Sequence, residues 1–176
     1  PAVVEVGVAA VNAPTGRVLL GQFADGPLRP RLRTLLTQLP PVECLVPQGE
    51  GGLSDLTLSM LRNSGNAPAL EPLREGPEFP TAGGAVRRLK RGRYFPGESK
   101  VAEEEAAGGE GPEGTGRWPE LLRAVVAGGE SSALALSCLG AVTHWLQRSL
   151  IDHDLLSLQR FEPYIPPDLE EEAAAV

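Results

Sequence analysis

Apolar residues fill positions 3–11 almost without a break, many of them β-branched, with only Glu5 and Gly7 interrupting. A run of this kind suits a strand covered on both faces, because a strand with one wet face alternates apolar with polar. Asn12-Ala13-Pro14-Thr15-Gly16 is turn chemistry, so residues 17–23 read as the returning strand of a β-hairpin. Pro27 and Pro30 then fit the start of a helix in which Leu28, Leu32, Leu35, Leu36 and Leu39 recur at three- and four-residue spacing. Pro40-Pro41 ends it, and the short apolar run 42–46, stopped by Pro47 and Gly49, predicts a buried strand. Ser54 is a good N-cap for a helix reaching about Ser64, with Leu56, Met60 and Leu61 inward and Gly65 just past its end.

The second half is less regular. Residues 66–80 are proline-rich, with Ala69-Leu70 as a candidate short strand, and a helix over 82–89 is weakened by Gly83 and Gly84. Residues 96–116 carry six Glu, many Gly and almost no large apolar side chain, too little to repay the entropy of ordering, so a disordered loop is expected there. Leu121, Leu122, Val125 and Val126 predict a helix between Pro119 and Gly128-Gly129. The strongest helical pattern spans 131–150, where Ala135, Cys138, Leu139, Val142, Trp145 and Leu146 share one inward face and small Ala135 and Gly140 permit close packing on a sheet. Asp152-His153-Asp154 makes a polar corner, and Leu155, Leu156, Leu158, Phe161, Tyr164 and Ile165 form a last apolar stretch before Pro166-Pro167. This order predicts an α/β fold, a mixed β-sheet flanked by α-helices. We expect one domain over 1–165 with a flexible insert at 97–116, and an acidic tail or the start of a link to another domain at 166–176.

Composition changes the picture in two ways. With 176 residues, 41% hydrophobic and 22% charged, the chain is large enough for one core, while 21 Gly and 17 Pro mark its turns and insert. The net charge of −7 would repel a phosphate backbone over the domain as a whole, which argues against autonomous, tight nucleic-acid binding. Cys44 and Cys138 have neither zinc nor disulfide-framework spacing and read as buried, reduced thiols. No run approaches the ~20 apolar residues of a membrane span, and the start lacks signal-peptide features. Because the chain opens directly into a strand and ends in an acidic, alanine-rich tail, we expect a piece of something longer.

Candidate chemistry is sparse. Residues 92–99 nearly satisfy the phosphate-loop pattern, but Glu98 stands where the lysine should be and would repel the phosphates, which leaves a surface turn. His144 falls on the polar side of the long helix with no nucleophile in a strained elbow to activate, so a solvated or hydrogen-bonded helix histidine is expected. His153 between Asp152 and Asp154 reads as a corner rather than a metal site. A two-metal nuclease needs several converging carboxylates, whereas the first strand offers only Glu5 and, at its end, the uncharged Asn12. Arg87, Arg88, Lys90, Arg91 and Arg93 put five cations into seven residues beside Tyr94 and Phe95, the one patch that could approach a DNA backbone or else neutralise the acidic loop.

Three stretches taken in order resemble a known family. Asn12-Ala13-Pro14-Thr15-Gly16-Arg17 with Gly21-Gln22-Phe23 is similar to the first hairpin of the connector domain of MutS-type mismatch-repair proteins, where Asp usually stands at the position of Asn12. Leu32-Arg33-Thr34-Leu35 through Pro40-Pro41-Val42-Glu43 resembles its next helix and strand. The run 134–140 through Leu150-Ile151-Asp152, then Asp154-Leu155-Leu156-Ser157-Leu158 and Phe161-Glu162-Pro163-Tyr164, resembles its closing helix and exit toward the lever domain. The resemblance covers about two thirds of the chain, leaves residues 66–116 poorly matched, and is nearest to the large subunit of the eukaryotic mismatch-sensing heterodimer. It implies an RNase H-like connector without nuclease activity that couples a mismatch-binding domain to lever and ATPase regions. It further implies a nuclear parent protein that binds ATP and Mg²⁺ outside this domain. Implied partners are a MutS-family subunit, a MutL-type protein and, through the parent, mismatched duplex DNA. Asp152, Asp154, Leu155, Leu158 and Phe161 would form the coupling segment. An active RNase H-like nuclease and a free-standing protein-interaction domain stay open as alternatives.

Overall fold

A computed structural model of the chain describes residues 2–49, 52–95, 115 and 117–176. The expected disordered insert at 97–116 lies outside the described residues apart from Thr115, as does the second half of the phosphate-loop-like stretch.

β1 (Val4–Asn12) and β2 (Arg17–Asp25) form the predicted hairpin, antiparallel in a register that pairs Val4 with Asp25 and Asn12 with Arg17. The turn closes because Gly16 N–H donates to the Asn12 carbonyl at 2.8 Å while Asn12 Oδ1 accepts from Thr15 N–H at 3.2 Å. On its other edge β2 receives a three-residue parallel strand, β5 (Phe161–Pro163), which gives a small mixed sheet ordered β1-β2-β5. β3 (Glu43–Gln48) and β4 (Ala69–Arg74) pair in parallel as a second, separate sheet instead of joining the first. β1 departs from the two-sided covering expected of it: Val4 to Val11 hold no fully buried residue, and its ladder among the described residues is with β2 alone.

The helices are α1 (Pro30–Gln38), α2 (Asp55–Arg62), α3 (Ala82–Gly92), α4 (Glu120–Ala127), α5 (Ala133–Arg148), α6 (Asp152–Leu156) and α7 (Pro167–Ala174). Leu28 precedes α1 and Leu39 is its C-cap, both exposed, so their places in the helical stripe are corrected, as is the inward assignment of Leu56, which is exposed on α2; Leu32, Leu35 and Leu61 are buried. α3 tolerates its glycines because Thr81 Oγ1 accepts from Gly84 N–H at 3.2 Å, a proper N-cap. α5 begins after a 3₁₀ turn (Gly129–Ser132), two residues later than the pattern suggested. Residues 152–156 are a short helix rather than an irregular corner, and the acidic tail contains α7.

α5 is the centre of the packing. One face lies on β1, where Gly7 gives the room: a Cβ there would overlap Leu134. Its opposite side meets α3 through Gly140, where a Cβ would overlap Pro80 and Ala85, so Gly140 serves a helix–helix contact and not the sheet. The main core joins Val18 and Leu20 of β2, Leu89 of α3, Leu122 of α4, Leu139, Val142 and Leu146 of α5 and Leu155 and Leu156 of α6. Trp118 belongs to it too, as do Tyr94 and Phe95, which the reading of 92–99 as a surface turn did not foresee. No helix among the described residues is long and apolar enough to cross a membrane.

Candidate functional site

The basic run does not fold into one patch. Arg87 and Arg91, one helical turn apart on α3, are exposed, as is Arg93 at the C-cap. Arg88 turns inward: its guanidinium donates to the carbonyls of Pro77 (2.6 Å), Gly140 (2.7 Å) and Glu78 (3.3 Å), tying the segment before α3 to α5. Desolvation lowers the Arg88 pKa, without approaching a neutral guanidinium. Lys90 is half-buried and engaged. The face that could meet a phosphate backbone therefore narrows to Arg87, Arg91 and Arg93.

The exit segment is brought together by three sets of bonds. After α5 the chain reverses at Leu150 (φ 59°), with Ile151 N–H bonded to the Leu146 carbonyl and Leu150 N–H to that of Gln147, each at 3.1 Å. Asp152 Oδ2 then accepts a hydrogen bond from the Tyr94 hydroxyl at 2.8 Å, and that hydroxyl accepts from Gln147 Nε2 at 2.9 Å. Burial, with the bond to Asp152, raises the Tyr94 pKa well above its ordinary value, so the bond persists as a neutral phenol donating to a carboxylate. The Tyr94 ring also lies 4.7 Å from that of His153, centroid to centroid. At the far end of the segment, Phe161 meets the ring of Phe95 at 5.9 Å.

The same segment is sewn to the hairpin tip. Val18 N–H donates to the Arg160 carbonyl at 2.9 Å, Arg160 donates to the Thr15 carbonyl, and Arg17 pairs with Glu162. Leu155 is buried, whereas Leu158 is 46% exposed and lies over Gly16 as a cover rather than a core residue. Asp154 is exposed in the first turn of α6, where its charge suits the helix dipole.

Three positions carry weight that the sequence did not single out. Gln22 caps α5: its Oε1 accepts from Leu134 N–H (2.9 Å) and Ala135 N–H (3.3 Å), and its Nε2 donates to the Glu130 carbonyl. Buried Asp25 caps α1 through the N–H groups of Arg31 and Leu32, a task that Arg29 at the formal N-cap cannot perform. Tyr94 is the third, hidden because it follows a run of cations. His144 is a correction: its Nε2 is buried and has no hydrogen-bond partner. Both cysteines are free; the Cys138 thiol donates to the Gly7 carbonyl and burial pushes its pKa up to about 12. Among the described residues no group of three or more His, Cys, Asp or Glu could hold a metal ion. A groove among the described residues, lined by Pro119, Leu121, Ala124, Gln159 and Phe161, is open.

No family model matches the chain. Curated relatives do: it is 34% identical over 170 residues to the DNA mismatch repair protein Msh6 of Homo sapiens and 31% over 172 to that of Gallus gallus. It is also 27% identical over 164 residues to MSH6 of Arabidopsis thaliana. These alignments cover 92%, 93% and 90% of this chain, and the chain spans 12% of the length of each relative. Such agreement along nearly the whole chain places it in the MutS family of DNA mismatch-repair proteins. Within that family it is related to one segment of Msh6.

Proposed function

We propose that this chain is the RNase H-like, non-catalytic connector of an Msh6-type protein, coupling a mismatch-binding domain to lever and ATPase regions. The observation that carries this reading is the near-full-length match to a single segment of Msh6. The stitched hairpin tip and exit segment support it, since a domain that relays displacement needs its entry and exit held in one rigid unit. In this reading ATP and Mg²⁺ act elsewhere in a nuclear parent protein. A MutS-family subunit completes a heterodimer, a MutL-type protein is a further partner, and mismatched duplex DNA is met through the parent. Arg87, Arg91 and Arg93 would give a local, salt-sensitive phosphate contact, because the chain's overall charge opposes DNA.

Leu158→Ala in the full protein with its partner subunit tests the relay, since Leu158 covers Gly16 without filling the core. Mismatch affinity and basal ATP hydrolysis should persist. The change in nucleotide exchange caused by mismatch DNA should weaken by roughly 0.5–2 kcal/mol of coupling free energy. Equal losses in binding and hydrolysis, or an unchanged response in a stable variant, would remove the relay.

A further inference from the structure

Two adjacent residues grip both ends of the exit segment. Arg93 takes a left-handed conformation (φ 49°) at the end of α3 and turns the chain straight into the core, where Tyr94 and Phe95 are each 2% exposed. Tyr94 holds the start of the segment through Asp152 and His153, and Phe95 holds its end through Phe161. A second observation is independent of these contacts. The Tyr94 ring folds back over Gly92 so closely that a Cβ at that position would overlap Cε2, Cζ and the hydroxyl oxygen. The last residue of the basic helix is therefore fitted to the ring that anchors the exit.

We propose that Tyr94 is a positioning residue, whose hydroxyl, bridging Asp152 and Gln147, makes the C-terminal end of the basic helix set the direction in which the chain leaves through α6 and β5. This rests on the connector reading for its purpose, though not for its geometry. A phosphate backbone or acidic surface seated on Arg87, Arg91 and Arg93 would act on the helix end that carries the anchor, since the C-cap Arg93 immediately precedes Tyr94. A shift of the helix end would then move both grips at once, because residues 94 and 95 are covalent neighbours packed too tightly to move apart.

Hydrogen exchange on the chain tests this. Leu155 N–H bonds to the Ile151 carbonyl at 3.1 Å, Ser157 N–H to that of His153 at 3.2 Å, and Leu158 N–H to that of Leu155 at 3.3 Å. Tyr94→Phe keeps the ring and loses only the hydroxyl, and should speed exchange of these three amides about tenfold while Leu139 and Val142 in α5 keep their rates. Gly92→Ala, which touches neither Asp152 nor Gln147, should do the same by displacing the ring. Combining Tyr94→Phe with Asp152→Ala should speed exchange by less than the product of the two single effects, as expected where the two variants lose one bond in common. Unchanged exchange at the corner, or equal acceleration throughout α5, would overturn the proposal. In the full mismatch-repair protein, Tyr94→Phe should also lower the fold-response of nucleotide exchange to mismatch DNA. A loosened corner with that response intact would defeat the connector reading and leave the anchor standing.

Discussion

The half of the molecule built on β1, β2 and β5 differs sharply from the half built on β3 and β4. In the first, α3, α4, α5 and α6 close over one continuous core that runs from Val18 to Leu156. In the second, Val46, Leu61 and Leu73 are buried but stand outside that core, and only partly buried Leu45 reaches it. The two are bridged by polar contacts such as Arg148–Glu71 at 3.1 Å and the Arg88 guanidinium on Pro77 and Glu78. Stability is thus concentrated where the hairpin and the exit meet. The thinner half is the part able to open or adapt at small cost.

The sharpest way to break this contrast is to truncate matched leucines. Leu139→Ala, at the centre of the main core, should cost about 3–5 kcal/mol and lower protection throughout β1, β2 and α5. Leu73→Ala should cost about 2–3 kcal/mol, with exchange rising in β3, β4 and α2 while β1 and β2 stay protected. Loss of protection in both halves together would show one cooperative unit and erase the distinction. Gln22→Ala should cost about 1 kcal/mol by uncapping α5, visible as fraying at Leu134 and Ala135, with Gln22→Glu recovering part of it at neutral pH.

The smallest effect probes the seam between the halves. Burial first, then Arg88, Arg148 and Arg74, lower the His144 pKa, and Glu78 opposes them. The folded state therefore favours the neutral ring. Above the ordinary value near 6.5 both states are neutral and stability is full; as pH falls, the unfolded chain takes up the proton first and stability declines until the folded-state pKa is passed. A melting series between about pH 6.5 and 4.5, above most carboxylate titration, should show this slope, and His144→Gln should flatten it.

Much of this architecture was legible in the sequence because it rests on local patterns. The hairpin announces itself through Asn12 to Gly16, α2 through Ser54, and α5 through its apolar stripe. What escaped depends on contacts distant in sequence. β5 is three residues long and is a strand only because Val18 lies beside Phe161. α4 and α5 were legible from periodicity, yet Gln22 as a cap required knowing that a strand passes beneath the helix start. Tyr94 and Phe95 follow five cations, and the charge obscured the aromatics' role in the core. α7 did offer local signals, Pro167 in its first turn and Asp168 beside it, but an acidic composition drew the reading toward a tail. Of the candidate coupling residues, Asp152 and Leu155 are bound or buried and Leu158 is a cover.

The pairing of β2 with β5 has a consequence for how the chain is made. Val18 leaves the ribosome long before Phe161, so one edge of the hairpin waits for the residues between them before it is covered. Until then an apolar two-stranded ribbon is open on both sides, a form that pairs readily with other chains. Synthesis of this segment therefore passes through an interval in which it needs shelter, and that interval ends when β5 closes the free edge of β2.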